Sequence, residues 1–159
     1  MDERRVPQGA PFDQSGVRTS DHDDAELIAE SYYGLLREHV DDPCVQGACE
    51  RILRDEVQHL CFHIDFFTFR QATWWPWLVQ LWRAQFRAVF WLTSQVVWRD
   101  HRACFRSLDI SYQTYRKRCR RAVSAYLRRL ERQVVRERRA RCSNMGPCVS
   151  TATSLDEAC

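Results

Sequence analysis

Residues that break helices are scarce in this chain of 159 residues, which has only five glycines and five prolines. Runs of alternating β-branched residues are also rare, so little in the sequence predicts a β-sheet. Hydrophobic residues make up 45% of the chain, which is enough to bury a core and makes global disorder a poor description. We therefore expect a single all-α domain.

Other classes of protein are excluded by what the sequence lacks. Arg83 and Arg87 interrupt the Trp-rich segment 74–98, so no uncharged run reaches the roughly 18 residues that a membrane span needs. The first twenty residues are polar and no Cys-x-x-Cys pair occurs among the eight cysteines. We therefore expect reduced thiols in a cytoplasmic protein with no membrane partner. A Ser/His/Asp nucleophile set and a phosphate-binding glycine loop are also missing, which leaves metal chemistry as the expected kind.

Apolar residues at helical spacing divide the chain into about four helices. We expect a flexible N-terminal arm over residues 1–20, a helical domain over 21–141 and a mobile tail, rich in Ser and Thr, over 142–159. The first helix is predicted to begin at Ser20 and Asp21, which can cap it, and to end before the sequence VDDP.

The sequence VDDP, residues 40–43, predicts a tight turn between the first two helices, with Asp42 as the N-cap and Pro43 at the first helical position. A turn this short makes the two helices antiparallel neighbours. The second helix should run to about Phe69, the third from its cap Thr73 to about Phe105, and the fourth from the sequence LDIS to about Ala140.

The third predicted helix has two apolar stripes at helical spacing. One comprises Trp77, Leu81, Ala84, Ala88, Trp91 and Gln95, and the other Trp82, Phe86, Val89, Thr93 and Val97. A helix that is apolar on two sides needs cover on both. We therefore expect this helix to be mostly buried, with a partner chain covering what the monomer leaves exposed.

Candidate metal ligands lie on the second helix, where Glu56 and His59 are three positions apart and project from the same face. In an antiparallel hairpin centred near residue 41 or 42, positions 56 to 59 lie level with about positions 24 to 28. Glu26 is there, and Glu30, one turn further on, is a poorer match. Helices about 8–10 Å apart allow these side chains to meet, and their oxygen and imidazole donors suit iron or manganese.

The stretch AELIAESYYGLLREHVDDPCVQGACERILRDEVQHLCFH, within residues 24–64, resembles the second helical hairpin of ferritin-like di-iron proteins. It is most similar to bacterial ferritin-like domain proteins with a YY…L helix, a DP turn and an ILRDE..H..F helix. The resemblance implies a ferritin-like antiparallel helical bundle. It also implies iron or manganese ligation by Glu26, Glu56 and His59, with Asp55 accepting a hydrogen bond from a ligand histidine. The activity that it implies is an oxidoreductase reaction with dioxygen or peroxide.

The first di-iron hairpin of such proteins is missing, since no second Glu-x-x-His sequence occurs in the chain. Half of a di-iron site is thus expected, and three readings stay open. A homodimer can share one di-iron site between its chains, or a second ferritin-like chain can supply the other half. The third reading is a truncated, non-catalytic ferritin-like scaffold or interaction protein with no cofactor. Whether the chain is an enzyme stays open for the same reason, and no catalytic residue is assigned.

Arginine dominates the basic residues, because Lys117 is the sole lysine among 24 of them. Between Arg116 and Arg141 the acidic residues are Glu131 and Glu137 alone, a pattern that suits contact with phosphates. A solvated outer face explains the same pattern, and no helix-turn-helix signature accompanies it. A nucleic-acid partner is therefore the less favoured reading.

Overall fold

The structure, a computed structural model, describes residues 15–144, with side chains from residue 24 to residue 143. Four α-helices account for nearly all of these residues: α1 (Ser15–His39), α2 (Pro43–Ala72), α3 (Pro76–Ser107) and α4 (Tyr112–Asn144). Helix α1 packs along α2, α4 packs against both of them, and α3 lies against α1 and α4. The predicted all-α class with about four helices is confirmed.

Helix α1 begins at Ser15, so the prediction that Ser20 and Asp21 cap its first turn is wrong. No proline interrupts residues 15–40, and a helix therefore continues past a good capping residue. The predicted flexible arm covered residues 1–20, of which 15–20 are helical, while 1–14 lie outside the described residues. Most of the predicted tail, from residue 145 onward, also lies outside them.

The turn between α1 and α2 forms as predicted. Asp42 is the N-cap of α2, and its carboxylate accepts hydrogen bonds from the backbone N–H groups of Cys44 at 2.7 Å and Val45 at 3.3 Å. Pro43 occupies the first turn, where its missing N–H costs nothing. The turn therefore places α1 and α2 side by side along their length.

Thr73 does not cap the third helix as predicted. It is the C-cap of α2, where its hydroxyl donates to the Arg70 carbonyl at 2.8 Å. Trp75 is the N-cap of α3 and makes no side-chain cap hydrogen bond, while Pro76 opens the helix. The residue before a proline is restricted to extended conformations, so α3 starts only at Pro76.

The core is rich in aromatic side chains contributed by all four helices. Phe86 of α3 stacks between Trp82 and Tyr126, with ring centroids 5.1 and 5.4 Å away. At the other end of the bundle, Phe105 is fully buried and packs against the ring of Tyr115 at 5.0 Å. Such aromatic pairs stabilise the fold by more than the area that they bury accounts for. They therefore help to determine how α3 packs against α4.

One stripe of α3 is buried and the other is not, so the prediction that α3 is mostly buried is correct for one side only. Phe86 is 1% exposed, whereas Trp77 and Leu81 are 63% and 59% exposed. The exposed residues of this stripe run from Trp77 to Trp91. At that far end the Trp91 ring lies under Arg116 of α4, and Gln95 accepts a hydrogen bond from the Tyr112 hydroxyl at 2.7 Å. A partner chain that would cover the exposed residues stays a prediction.

None of the described helices is long and apolar enough to cross a membrane. The charge that interrupts α3 is accommodated inside the fold, because the side chain of Arg83, only 10% exposed, reaches Glu131 of α4 at 3.2 Å. The six cysteines within the described residues are free thiols.

Candidate metal centre

Three potential ligands meet where α1 and α2 run side by side. The Nδ1 atom of His59 lies 3.6 Å from Oε1 of Glu26 and 3.7 Å from Oε2 of Glu56. One ligand atom from each of these residues falls within 4.8 Å of the other two. The register argument for the hairpin is therefore confirmed, because Glu26 of α1 faces Glu56 and His59 of α2.

The two carboxylates of this cluster are largely buried, and the imidazole is open to solvent. The exposed fraction of the side chain is 16% for Glu26, 19% for Glu56 and 61% for His59. The site thus lies at the surface of the hairpin, with its negative groups below and one accessible imidazole above. A ligand or a second protein surface can reach it from the His59 side.

Burial and the neighbouring Glu26 carboxylate raise the pKa of Glu56, while His59 acts against both effects. In addition, Oε2 of Glu26 is buried and finds no hydrogen-bond partner among the described residues. A buried acceptor of this kind usually has a partner. A cation beside the two carboxylates would offset both the burial of their negative charge and the missing partner of the Glu26 oxygen. The donor set and its electrostatics therefore fit a metal ion.

His63, one turn beyond His59 on the same face of α2, also contacts the cluster, although its position in the sequence favours packing or the surface over a part in the site. Its Nε2 atom lies 3.4 Å from Oε1 of Glu26, and its side chain is 12% exposed. The same carboxylate oxygen thus lies between the imidazoles of His63 and His59, which are one turn apart on α2. The spacing of four positions was the available signal, and it was too common to separate a contact with Glu26 from ordinary packing.

The rival carboxylate Glu30 lies elsewhere, in a groove between α1, α2 and α4. This groove is lined by Leu60 and Ile64 on one side and by Arg118 and Arg129 on the other. Burial raises the pKa of Glu30 and Arg118 lowers it. Glu30 is therefore not part of the metal-ligand cluster.

Asp55, expected to accept a hydrogen bond from a ligand histidine, is exposed and makes no hydrogen bond with a described residue. The contacts of the His59 Nδ1 atom go to Glu26 and Glu56 instead. Across residues 24–143, no second cluster of three or more His, Cys, Asp or Glu side chains has comparable spacing. The described part of one chain therefore carries a single cluster.

Comparison of the chain with models of protein families, with curated proteins and with solved structures finds no match. The site therefore has to be interpreted from its own geometry and chemistry.

Proposed function

We propose that this chain is a ferritin-like metal-binding protein in which Glu26, Glu56 and His59 ligate iron or manganese. The observation that supports the proposal most strongly is the convergence of three donors from two helices to within 4.8 Å. Oxygen donors of two carboxylates with one imidazole suit these ions. When bound, such an ion would supply one-electron oxidation chemistry, which makes an oxidoreductase the activity class to test.

The chain's own residues have distinct parts in this proposal. Glu26 and Glu56 supply negative charge from a partly desolvated position, where their mutual repulsion favours a bound cation. His59 is the accessible donor and is neutral when it ligates. His63 contacts Glu26 at 3.4 Å and positions that carboxylate, as outer groups of metal sites commonly do.

Three protein donors leave a first-row ion short of ligands, so water or a second chain has to complete the shell. We propose a second copy of this chain as the partner, with a second ferritin-like chain as the alternative. Two copies related by a two-fold axis supply four glutamates and two histidines, which is the ligand set of a ferritin-type di-iron site. The exposed His59 ring supports this arrangement, since an approaching surface can reach it.

Metal content measured together with molecular mass tests the proposal. Purified protein is stripped with a chelator, loaded with Fe(II) or Mn(II) without oxygen, desalted and analysed for metal and for mass by light scattering. We expect bound metal in wild-type protein and none in Glu26→Gln, Glu56→Gln or His59→Ala. Glu50→Gln is the matched control, because Glu50 is an exposed acid on the same helix. Absence of metal from the folded wild type would favour the non-catalytic scaffold.

A further inference from the structure

Helix α4 carries the largest concentration of charge in the molecule. It contains twelve basic residues and two acidic ones. Both acids are already paired, Glu131 with Arg83 at 3.2 Å and Glu137 with Arg141 at 2.8 Å. Local acids therefore do not neutralise the outer face of this helix.

Some basic residues of α4 also serve the fold. Arg118 pairs with Glu38 at 2.7 Å and lies so close to Gly34 of α1 that a side chain there would meet its guanidinium group. Arg138 donates to the backbone carbonyls of Gln71 and Trp74. These two arginines tie α4 to the helices beside it and are not available to a ligand.

Nine basic residues of α4 remain besides Arg118, Arg138 and Arg141. Arg116 lies over the Trp91 ring of α3, and Arg129 donates to Cys61 of α2. The other seven form an exposed basic face that has no ion pair with a described residue. This basic face comprises Lys117, Arg120, Arg121, Arg128, Arg132, Arg136 and Arg139. Its first half, with Ser124 between the charges, borders a shallow depression lined by α4 alone. A surface built from one helix fits an extended ligand that lies along it better than an enclosed small molecule.

The dimensions of the basic face suit a regularly spaced polyanion. At a rise of about 1.5 Å per residue, the eleven steps from Lys117 to Arg128 cover roughly 16 Å. Duplex DNA carries one phosphate about every 3.4 Å along each strand, so this distance spans about five phosphates. Arginine presents a planar fork that binds phosphate oxygens in pairs, and it stays charged at all relevant pH values.

A membrane surface is a poorer match, because α4 has no apolar side left to insert. Its apolar residues, among them Tyr115, Cys119 and Leu130, are buried in the core, and Val135 is its one large hydrophobic residue among those that are strongly exposed. Membrane-surface helices need a free apolar face. Single-stranded nucleic acid is also disfavoured, since no residue of the basic face is aromatic. The exposed Trp91 ring of α3 beside it is covered by Arg116 at 4.9 Å, which a stacking base would have to displace.

We propose that the basic face of α4 binds the phosphodiester backbone of double-stranded nucleic acid without reading its sequence. The face concentrates positive charge along one side of the helix and has few neutral donors or acceptors for base edges. Backbone contacts hold a protein on a duplex but carry no sequence information. This binding uses none of the residues of the candidate metal centre and therefore does not depend on the proposed function.

Fluorescence anisotropy of the full-length protein with a labelled 20-base-pair duplex of arbitrary sequence tests the proposal. We expect binding whose logarithmic affinity falls with the logarithm of salt concentration with a slope of about −4.5, equivalent to about five phosphates. The combined variant Lys117→Gln, Arg121→Gln and Arg128→Gln should lose at least about tenfold in affinity and reduce the slope by about three. A second duplex of unrelated sequence should bind equally well.

The matched control changes the same net charge elsewhere, through Arg54→Gln, Arg99→Gln and Arg102→Gln, which are exposed arginines of α2 and α3. It should bind the duplex like wild type, and both triple variants should keep the wild-type circular dichroism and melting temperature. Equal loss in the two variants would overturn the proposal, because total charge alone would then explain binding. Preference for anionic phospholipid vesicles, for polyglutamate or for single strands over the duplex would overturn it as well. Duplex binding by His59→Ala at the wild-type level separates this result from the metal proposal.

Discussion

The carboxylate of Glu26 on α1 and the imidazole of His59 on α2 approach to 3.6 Å between Oε1 and Nδ1. The same Glu26 oxygen lies 3.4 Å from Nε2 of His63. One carboxylate thus connects two histidines that are a single helical turn apart. The hairpin supplies this arrangement without any distortion of either helix, because residues four positions apart share a face.

The contact between His63 and Glu26 predicts a graded effect on metal binding. Replacing His63 with alanine should weaken metal binding about 10- to 100-fold without abolishing it, as expected for a residue that positions a ligand. Replacing it with glutamine, whose amide can still donate to Glu26, should restore most of the affinity. Titration of the apo-protein with Mn(II), followed by calorimetry, measures both. Equal loss in the two variants would show that the imidazole itself is required, as for a direct ligand.

Much of the hairpin could be predicted because its signals are local. The DDP sequence specifies a cap and a first-turn proline, and a short turn with regular helices then fixes which positions of α1 and α2 lie level. This is why Glu26, and not Glu30, faces His59. The position of His63 against Glu26 depends on side-chain conformation inside the packed hairpin, which helical spacing alone does not determine.

The helix ends and the exposure of α3 could not be predicted for a different reason. Ser20 and Thr73 are good capping residues, but a cap is used only where the chain leaves the helix, and tertiary packing decides where that happens. Likewise, both stripes of α3 are equally apolar in sequence. Which one faces the core depends on how α1 and α4 approach α3, and this is a property of the assembled bundle.

Replacing Glu30 with glutamine should stabilise the protein at high pH but not at low pH. Burial raises the pKa of the Glu30 carboxyl, with Arg118 acting against this effect. The pKa of Glu30 is higher in the folded protein than in the unfolded chain, where it is roughly 4.3. Its contribution to stability is therefore fully present below about pH 4.3 and is lost as the pH rises through the pKa of the folded state. The melting temperature of Glu30→Gln should therefore exceed that of wild type at pH 8, and the difference should disappear near pH 4. A gain that is equal at both pH values would argue against this origin. Glu50→Gln, exposed on α2, should show neither effect.

The ion pair between the buried Arg83 and Glu131 predicts different effects on stability when one or the other member is replaced. Removing the charge of Glu131 leaves the guanidinium buried without its counter-ion, so Glu131→Gln should lower the free energy of unfolding by about 1–3 kcal/mol. Replacing Arg83 with methionine removes the buried charge itself and should be close to neutral. Urea denaturation measures both changes. A larger loss for Arg83→Met than for Glu131→Gln would contradict this prediction.

The exposed apolar stripe of α3 predicts that two chains associate through it, and a single charged residue placed in the stripe should weaken this association. The exposed residues of the stripe, Trp77, Leu81, Ala84, Ala88 and Trp91, recur alternately every four and three positions, which is the spacing of a coiled-coil seam. Two antiparallel copies would place the small Ala84 and Ala88 opposite each other near the two-fold axis. In metal-free protein, Leu81→Glu should therefore reduce the fraction of chains paired through α3 in sedimentation velocity, a contact distinct from the metal-bridged pairing at His59. The helical content of the monomer should be unchanged, since Leu81 is 59% exposed.

Gln80→Glu is the matched control for this experiment, because it adds the same charge to an exposed neighbour outside the stripe. It should leave the dimer fraction unchanged. A wild-type protein that stays monomeric at high concentration would contradict the prediction directly.

Metal content and molecular mass, determined on the same sample of wild type and His59→Ala, test the central claim most directly. The account predicts that wild-type protein loaded with iron is a dimer with one ion per chain. It predicts that His59→Ala retains its helical circular dichroism but binds no metal, because the cluster then keeps two donors per chain. Unchanged metal stoichiometry in His59→Ala, or a strict monomer that binds two ions, would contradict the account.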